Sequence, residues 1–190
     1  MQLDNKFKMV MDYLDTPNPN HHAGDKQITY LTFDPMEIIE VKRRIASWLS
    51  LAKGYDYSGS VLSMANVINE FFRNNSRRNN WLVPEANSSF EDIVDFYKID
   101  LGSMVVENKV IEKAILHAQE TIKSLHKPLL IITDLEAIHP FTRFGPIEQK
   151  IYTAIEIPII ILYPGTLSGS SSLEFFGFYP PDGNYRSTHF

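Results

Sequence analysis

Leu129-Leu130-Ile131-Ile132-Thr133-Asp134-Leu135-Glu136 is an apolar run of strand length that ends in two acids. A second run, Ile157-Pro158-Ile159-Ile160-Ile161-Leu162, passes into Tyr163-Pro164-Gly165. Both read as buried β-strands whose ends carry residue types suited to chemistry. In open α/β sheets ligands sit outside the carboxyl ends of the strands, so these two ends mark where a site is to be sought.

Working outward, Ile28-Thr29-Tyr30-Leu31-Thr32-Phe33 is rich in β-branched and aromatic residues and reads as a first strand. It runs into Asp34-Pro35-Met36-Glu37, where Asp34 suits an N-cap, Pro35 the first helical position and Glu37 the reciprocal capping place. The helix that follows turns Ile38, Val41, Ile45, Trp48 and Leu49 to one side and stops near Lys53-Gly54. A weaker strand, 59–64, leads to a short helix over 65–72. The polar stretch Asn74 to Asn80 predicts a loop. Ser88 or Ser89 caps a helix holding Ile93, Val94, Phe96 and Tyr97, and a longer helix is predicted over 103–125, with Val106, Val110, Ile111, Ala114, Ile115, Ala118 and Ile122 buried. A helix over 146–155 and a last strand over 173–178 complete the pattern. Strands alternating with helices predict an α/β fold, a three-layer sandwich around a mostly parallel sheet. At the start of the chain Leu3, Phe7, Val10, Met11 and Leu14 share one helical face, and Pro17 and Pro19 end that helix. The expected division is an amphipathic helix with its linker over 1–20, then a single α/β domain over 21–190.

A chain of 190 residues is long enough for one domain with a real core. A net charge of −5 argues against a broadly basic, DNA-coating surface, although Lys42-Arg43-Arg44 and Arg73, Arg77 and Arg78 form local basic groups. There is no cysteine, which excludes disulfides, thiolate nucleophiles and cysteine-ligated zinc or iron–sulfur sites. The first residues lack a secretory pattern, and no apolar run approaches the roughly 20 residues of a spanning helix. The expectation is a cytoplasmic protein with no membrane contact.

The Asp134/Glu136 strand looks like a Walker B element, which delivers carboxylates to a nucleotide's magnesium. Its partner, the phosphate loop G-x-x-x-x-G-K-[ST], is absent. The first strand leads instead into Phe33-Asp34-Pro35-Met36-Glu37, whose acids would repel phosphate from a helix N-terminus. The stretch from Gly165 to Ser172 has no lysine either. ATP hydrolysis is therefore not expected, no cofactor is assigned, and Asp134 and Glu136 read first as caps of the loop that follows. An alternative has Asp34, Asp134, Glu136 and His139 converging on a hard metal in a degenerate nucleotide- or metal-dependent enzyme. His21-His22 lies in a proline-rich connector and reads as exposed; His117 and His126 are too far apart along a helix to chelate. The G-x-S-x-G elbow of a serine hydrolase is not matched at Gly165-Thr166-Leu167-Ser168-Gly169. Arg73, Arg77 and Arg78 with Trp81 could grip nucleic acid, phosphates on the arginines and a base on the ring. A solvated loop anchored by Trp81 is the more ordinary reading.

Tyr30-Leu31-Thr32-Phe33-Asp34-Pro35, the strand Leu129 to Thr133, Pro140-Phe141-Thr142-Arg143, Pro158 to Gly165 ending in Tyr-Pro-Gly, Leu173-Glu174-Phe175-Phe176-Gly177 and Asn184-Tyr185-Arg186 occur in that order. The series resembles the BrxB family of BREX bacteriophage-defence systems, over most of residues 28–190 and most specifically in the last sixty or so. The resemblance implies a defence component without established catalysis, with a core like that of P-loop NTPases but lacking the Walker A loop. It also implies action through other BREX proteins, notably the phosphatase-like PglZ, with DNA contacted only indirectly or weakly. The turn-rich Tyr179-Pro180-Pro181-Asp182-Gly183 departs from the expected tail. Candidate ligand or partner residues are thus Asp134, Glu136, His139, Phe141, Arg143, Tyr163, Gly165, Tyr185 and Arg186. Tyr163, Phe141, Arg143, Tyr185 and Arg186 are types enriched at binding hot spots. Equally, Phe141 and Tyr185 could cover the sheet's edge while Arg143 or Arg186 pairs with Asp134 or Glu136.

Overall fold

The computed structural model describes residues 3–16, 28–168, 172–177, 179 and 187–190, the side chains at 90, 96–98 and 168 excepted. His21, His22, Phe178, Tyr185, Arg186, the boundary at 20/21 and the side chains of Phe96 and Tyr97 lie outside the described residues. The apolar runs form a six-stranded, mostly parallel sheet with helices on both faces. Strands β1 (Ile28–Phe33), β2 (Ser58–Ser63), β3 (Pro128–Thr133), β4 (Ile159–Ser168), β5 (Ser172–Phe175) and β6 (Thr188–His189) are arranged as β2-β3-β4-β1-β6, with β5 folded back antiparallel on the far half of β4. β1 pairs with β4 along its whole length, Ile28 opposite Ile159 through Phe33 opposite Pro164. The carboxyl ends of β1, β2, β3 and β4 therefore open on one edge.

Successive strand residues point to opposite faces, so each apolar run supplies two cores. Tyr30, Leu130, Ile132, Ile159, Ile161 and Tyr163 face one side, against α3 (Met64–Arg73), α6 (Val110–Ile122) and α7 (Phe144–Ile151). Leu31, Phe33, Leu129, Ile131, Ile160 and Leu162 face the other, against α1 (Leu3–Asp15) and α2 (Ile38–Gly54). All five periodic residues of α1 are buried; the rings of Phe7 and Trp48 stack with centroids 4.7 Å apart, and the Trp48 indole N–H donates to Asp4. The amphipathic N-terminal helix thus forms part of that layer.

Two connections differ from their prediction. The Asn74–Asn80 stretch is a turn only as far as Arg77; α4 (Arg78–Asn87) begins inside it, and Trp81 packs edge-on against Phe72. The single helix expected over 103–125 is two, α5 (Phe90–Glu107) and α6, because Lys109 takes a left-handed conformation (φ 53°) and resets the phase. Val106 is accordingly 42% exposed rather than in line with the buried face of α6. β5 stops at Phe175, since Phe176 and Gly177 both turn left-handed. No helix among the described residues is long and apolar enough to cross a membrane.

Candidate functional site

Asp134 is the first residue past β3, held at φ 60°, ψ 40°. This left-handed region is rare except for glycine and short polar residues such as Asp. One carboxylate oxygen accepts hydrogen bonds from Ser63 at the end of β2 (2.5 Å) and from Thr133 (2.9 Å). The other lies 2.7 Å from the ammonium of Lys42, on α2. Glu136, in the 3-10 turn Leu135–Ala137, accepts from the same ammonium at 2.7 Å. Ser63 also caps α3 by accepting from the Asn66 N–H. One carboxylate thereby ties β2, β3 and α2 together at the sheet's edge.

The electrostatics follow. Burial alone would raise the Asp134 carboxyl, but hydrogen bonds from Lys42, Ser63 and Thr133 and the charge of Lys42 outweigh it and hold the group below its ordinary range. Burial likewise works against the Lys42 ammonium, and its bonds to the two carboxylates outweigh that and raise it. Both stay charged, neither is poised to exchange a proton, and any cation entering here must displace Lys42. The cleft between Phe33, Ile38, Val41, Leu162 and this cluster measures about 10 Å³, room for about one water.

The other predicted residues are elsewhere. Asp34 caps the 3-10 turn Pro35–Glu37 by accepting from the Met36 N–H at 2.9 Å. His139 lies flat on Phe175, with ring centroids 3.2 Å apart, and its Nδ1 accepts from Arg143 at 2.7 Å. Burial, with a smaller push from Arg143, lowers this imidazole to about 3, so it is neutral, and its buried Nε2 has no hydrogen-bond partner among the described residues. Arg143 completes the stack by lying 4.0 Å over the Tyr179 ring, so it pairs with neither Asp134 nor Glu136. No group of three or more His, Asp or Glu suited to a metal forms among the described residues. Tyr163 is 2% exposed, its ring against Tyr30 and Phe175, because alternation along β4 turns it into the core. Phe141 is half-buried against Phe72. Gly165 is required by packing: a Cβ there would stand 2.2 Å from the Glu174 carbonyl oxygen on β5. Arg73, Arg77 and Arg78 are exposed, whereas Trp81 is 9% exposed and has no free ring face to offer a base.

Two groups escaped the sequence reading. Lys42 stood only in a basic run, and its role needs the strand order to be known. Glu148 was the other. It lies on α7 in phase with Phe144, Ile147 and Ile151, an acid on a buried face, which was a readable signal. It is 3% exposed and accepts from the Tyr30 and Ser187 hydroxyls, both at 2.5 Å. Burial raises this carboxyl, and the two hydrogen bonds only partly offset it.

The family model described as "BREX protein BrxB" matches residues 61–190. The chain belongs to the BrxB family. It is therefore a component of BREX phage defence. The match takes in the acids at the end of β3, His139 and Glu148, and leaves α1, β1 and Lys42 outside. Comparison with curated proteins and with solved structures brings no match.

Proposed function

We propose that this BrxB-family chain is a non-catalytic adaptor of a cytoplasmic BREX complex, acting through protein contacts with the phosphatase-like PglZ component as its partner. The observation behind the reading is the Lys42 clamp. At the edge where an α/β sheet would hold a ligand, the chain's own ammonium pairs with both carboxylates at 2.7 Å. The same reading takes the domain as a P-loop-like core without its phosphate loop. Acids flank the turn after β1 where glycines and a lysine would have to stand, and Asp134 and Glu136 serve structure instead of a metal. DNA is then reached only through partners.

The surface around the clamp suits a protein. Met36, in the 3-10 turn before α2, is 90% exposed and Ile39, at the start of α2, is 60% exposed, apolar side chains that a partner would cover. Co-expression of the chain with PglZ tests the partner: the two are expected to co-purify, and Met36→Asp with Ile39→Asp to weaken the complex. Failure of the unaltered chain to co-purify removes PglZ as the direct partner. Thermal melts with ATP, GTP, Mg²⁺ and Mn²⁺ test the rest, since a ligand of the native state raises the midpoint. A clear upward shift with any nucleotide–metal pair overturns the non-catalytic reading.

A further inference from the structure

Charge is spread unevenly over this acidic chain. On the α1/α2 face Lys42 pairs with Asp134 and Glu136, Arg44 with Asp4 and Glu40, and Lys127 with Asp15, while Lys8, Arg43 and Lys53 are exposed and make no ion pair among the described residues. On the opposite face Arg73, Arg77, Arg78, Lys109 and Lys113 are exposed and make no ion pair among the described residues. Each of the five stands within three residues of the lining of one feature. Between α3 and α6 runs a groove of about 430 Å³, open to solvent, with Val67, Phe71, Val110 and Ala114 as its floor. Asn74 and Asn75 also line it, and among the described residues lining it Glu70 alone is charged. Arg73 precedes the turn at Asn74 and Asn75. Arg77 and Arg78 are folded back onto it through backbone N–H bonds to the Asn75 side chain (2.9 Å) and carbonyl (3.1 Å). Lys109 and Lys113 each stand one residue before a floor residue of α6.

The floor is built from two ridges, Val67 with Phe71 and Val110 with Ala114, each spaced four residues apart on its helix. Such ridges leave a channel along the helices that accepts the i, i+3, i+4 anchors of a third helix. An apolar channel with cations a few residues from its lining, on the turn and helices that form it, selects a partner that is apolar on one side and acidic on the flanks. We infer that the α3/α6 groove seats an acidic amphipathic helix of another BREX protein. The inference rests on the adaptor reading in taking the occupant to be a protein, and adds where it sits and what charge it carries. A nucleic acid fits less well. Its phosphates would meet the cations, but among the described lining residues its bases would find Phe71 as the one aromatic platform, because Trp81 is buried against Phe72.

The absence of cysteine makes a direct test possible, since a single introduced thiol reports from one place. Ala114→Cys in the groove and Met36→Cys at the sheet's edge, each labelled with a benzophenone maleimide, are photolysed in the complex assembled by co-expression with other BREX proteins. Asn74→Cys replaces Ala114→Cys should the labelled groove variant melt early. The expected result is an adduct from position 114 to a segment whose apolar and acidic residues recur at helical spacing. Binding should weaken about tenfold or more, and become less salt-dependent, in the Arg73→Glu/Arg77→Glu/Arg78→Glu variant, which should melt with the parent chain. Adducts from position 36 and none from the groove overturn this inference while leaving the adaptor reading standing. Adducts from neither position overturn both. An adduct from the groove to a second copy of the chain, or binding of a single-stranded oligonucleotide lost with the arginines but unchanged by Ala114→Trp, replaces the acidic helix with another occupant.

Discussion

Asp134 and Glu148 are two carboxylates drawn out of water by the same fold, and their environments treat them in opposite ways. Asp134 has neutral donors in Ser63 and Thr133, but it also has the Lys42 ammonium, and its pKa is lowered. Glu148, more deeply buried, has among the described residues only the hydroxyls of Tyr30 and Ser187, and its pKa is raised. Two good neutral hydrogen bonds do not cancel the loss of solvation; a partner of opposite charge does. Each acid is also a cross-link. Asp134 joins β2, β3 and α2 at the carboxyl edge, and Glu148 joins β1, α7 and the residue that precedes β6.

If Glu148 is the deeper of the two cross-links, its removal has the larger effect. Glu148→Ala leaves the Tyr30 and Ser187 hydroxyls without their acceptor and opens a void beside the Tyr30 ring. Together these should cost about 3 kcal/mol, which for a chain of this length lowers Tm by roughly 6–12 °C. A fall below about 2 °C in a calorimetric melt would show that water replaces the carboxylate there, and the two acids would no longer differ in depth.

Lys42→Ala tests the other member. It leaves Asp134 and Glu136 facing each other without a counter-charge. The Lys42 side chain is 42% exposed, so solvent takes up part of the loss and about 1–2 kcal/mol is expected at neutral pH. The sign with pH is fixed by the lowered Asp134 pKa. The clamp's stabilisation is fully present above the ordinary carboxylate value of 3.8 and is lost as pH falls through the lowered one. The parent and Lys42→Ala melting curves should therefore converge in acid. A gap that stays constant from neutral pH into strong acid would mean that Lys42 contributes packing alone.

The contrast also marks how far the sequence could be read. The apolar runs at Leu129–Thr133 and Ile157–Leu162 announced buried parallel strands, the second of which begins at Ile159, and their ends located the edge where Asp134, Glu136 and Lys42 meet. What those residues do there was hidden, because Lys42 and Glu136 are 94 positions apart and are brought together by a strand order that local periodicity does not encode. Tyr163 was misjudged for a simpler reason. A strand that is apolar on both faces gives no outward side, so a tyrosine at its end reads as exposed until the neighbouring layer, here Tyr30 and Phe175, is known. Glu148 could have been found, since it breaks the apolar face of a short helix whose other members are Phe144, Ile147 and Ile151. Its partner Tyr30 is 118 residues away. An acid in that position predicts a buried donor without naming it.

The smallest expected effect is the one that isolates charge. Glu148→Gln keeps the size of the side chain and both hydrogen bonds, with one hydroxyl turning to accept from the amide. A raised folded pKa means that the native state holds its proton more tightly than the unfolded chain does. Stability is then fully present below the ordinary glutamate value of 4.5 and falls as pH rises through the raised one. The glutamine side chain escapes that loss. At pH 7 the variant should be more stable than the parent by about 1 kcal/mol, a rise of roughly 2–4 °C in Tm, and the advantage should vanish near pH 4. Parallel Tm-against-pH curves would show that Glu148 titrates alike in both states. In that event the Tyr30 and Ser187 hydroxyls compensate its charge as fully as Lys42 does for Asp134, and the opposition between the two acids would be one of geometry alone.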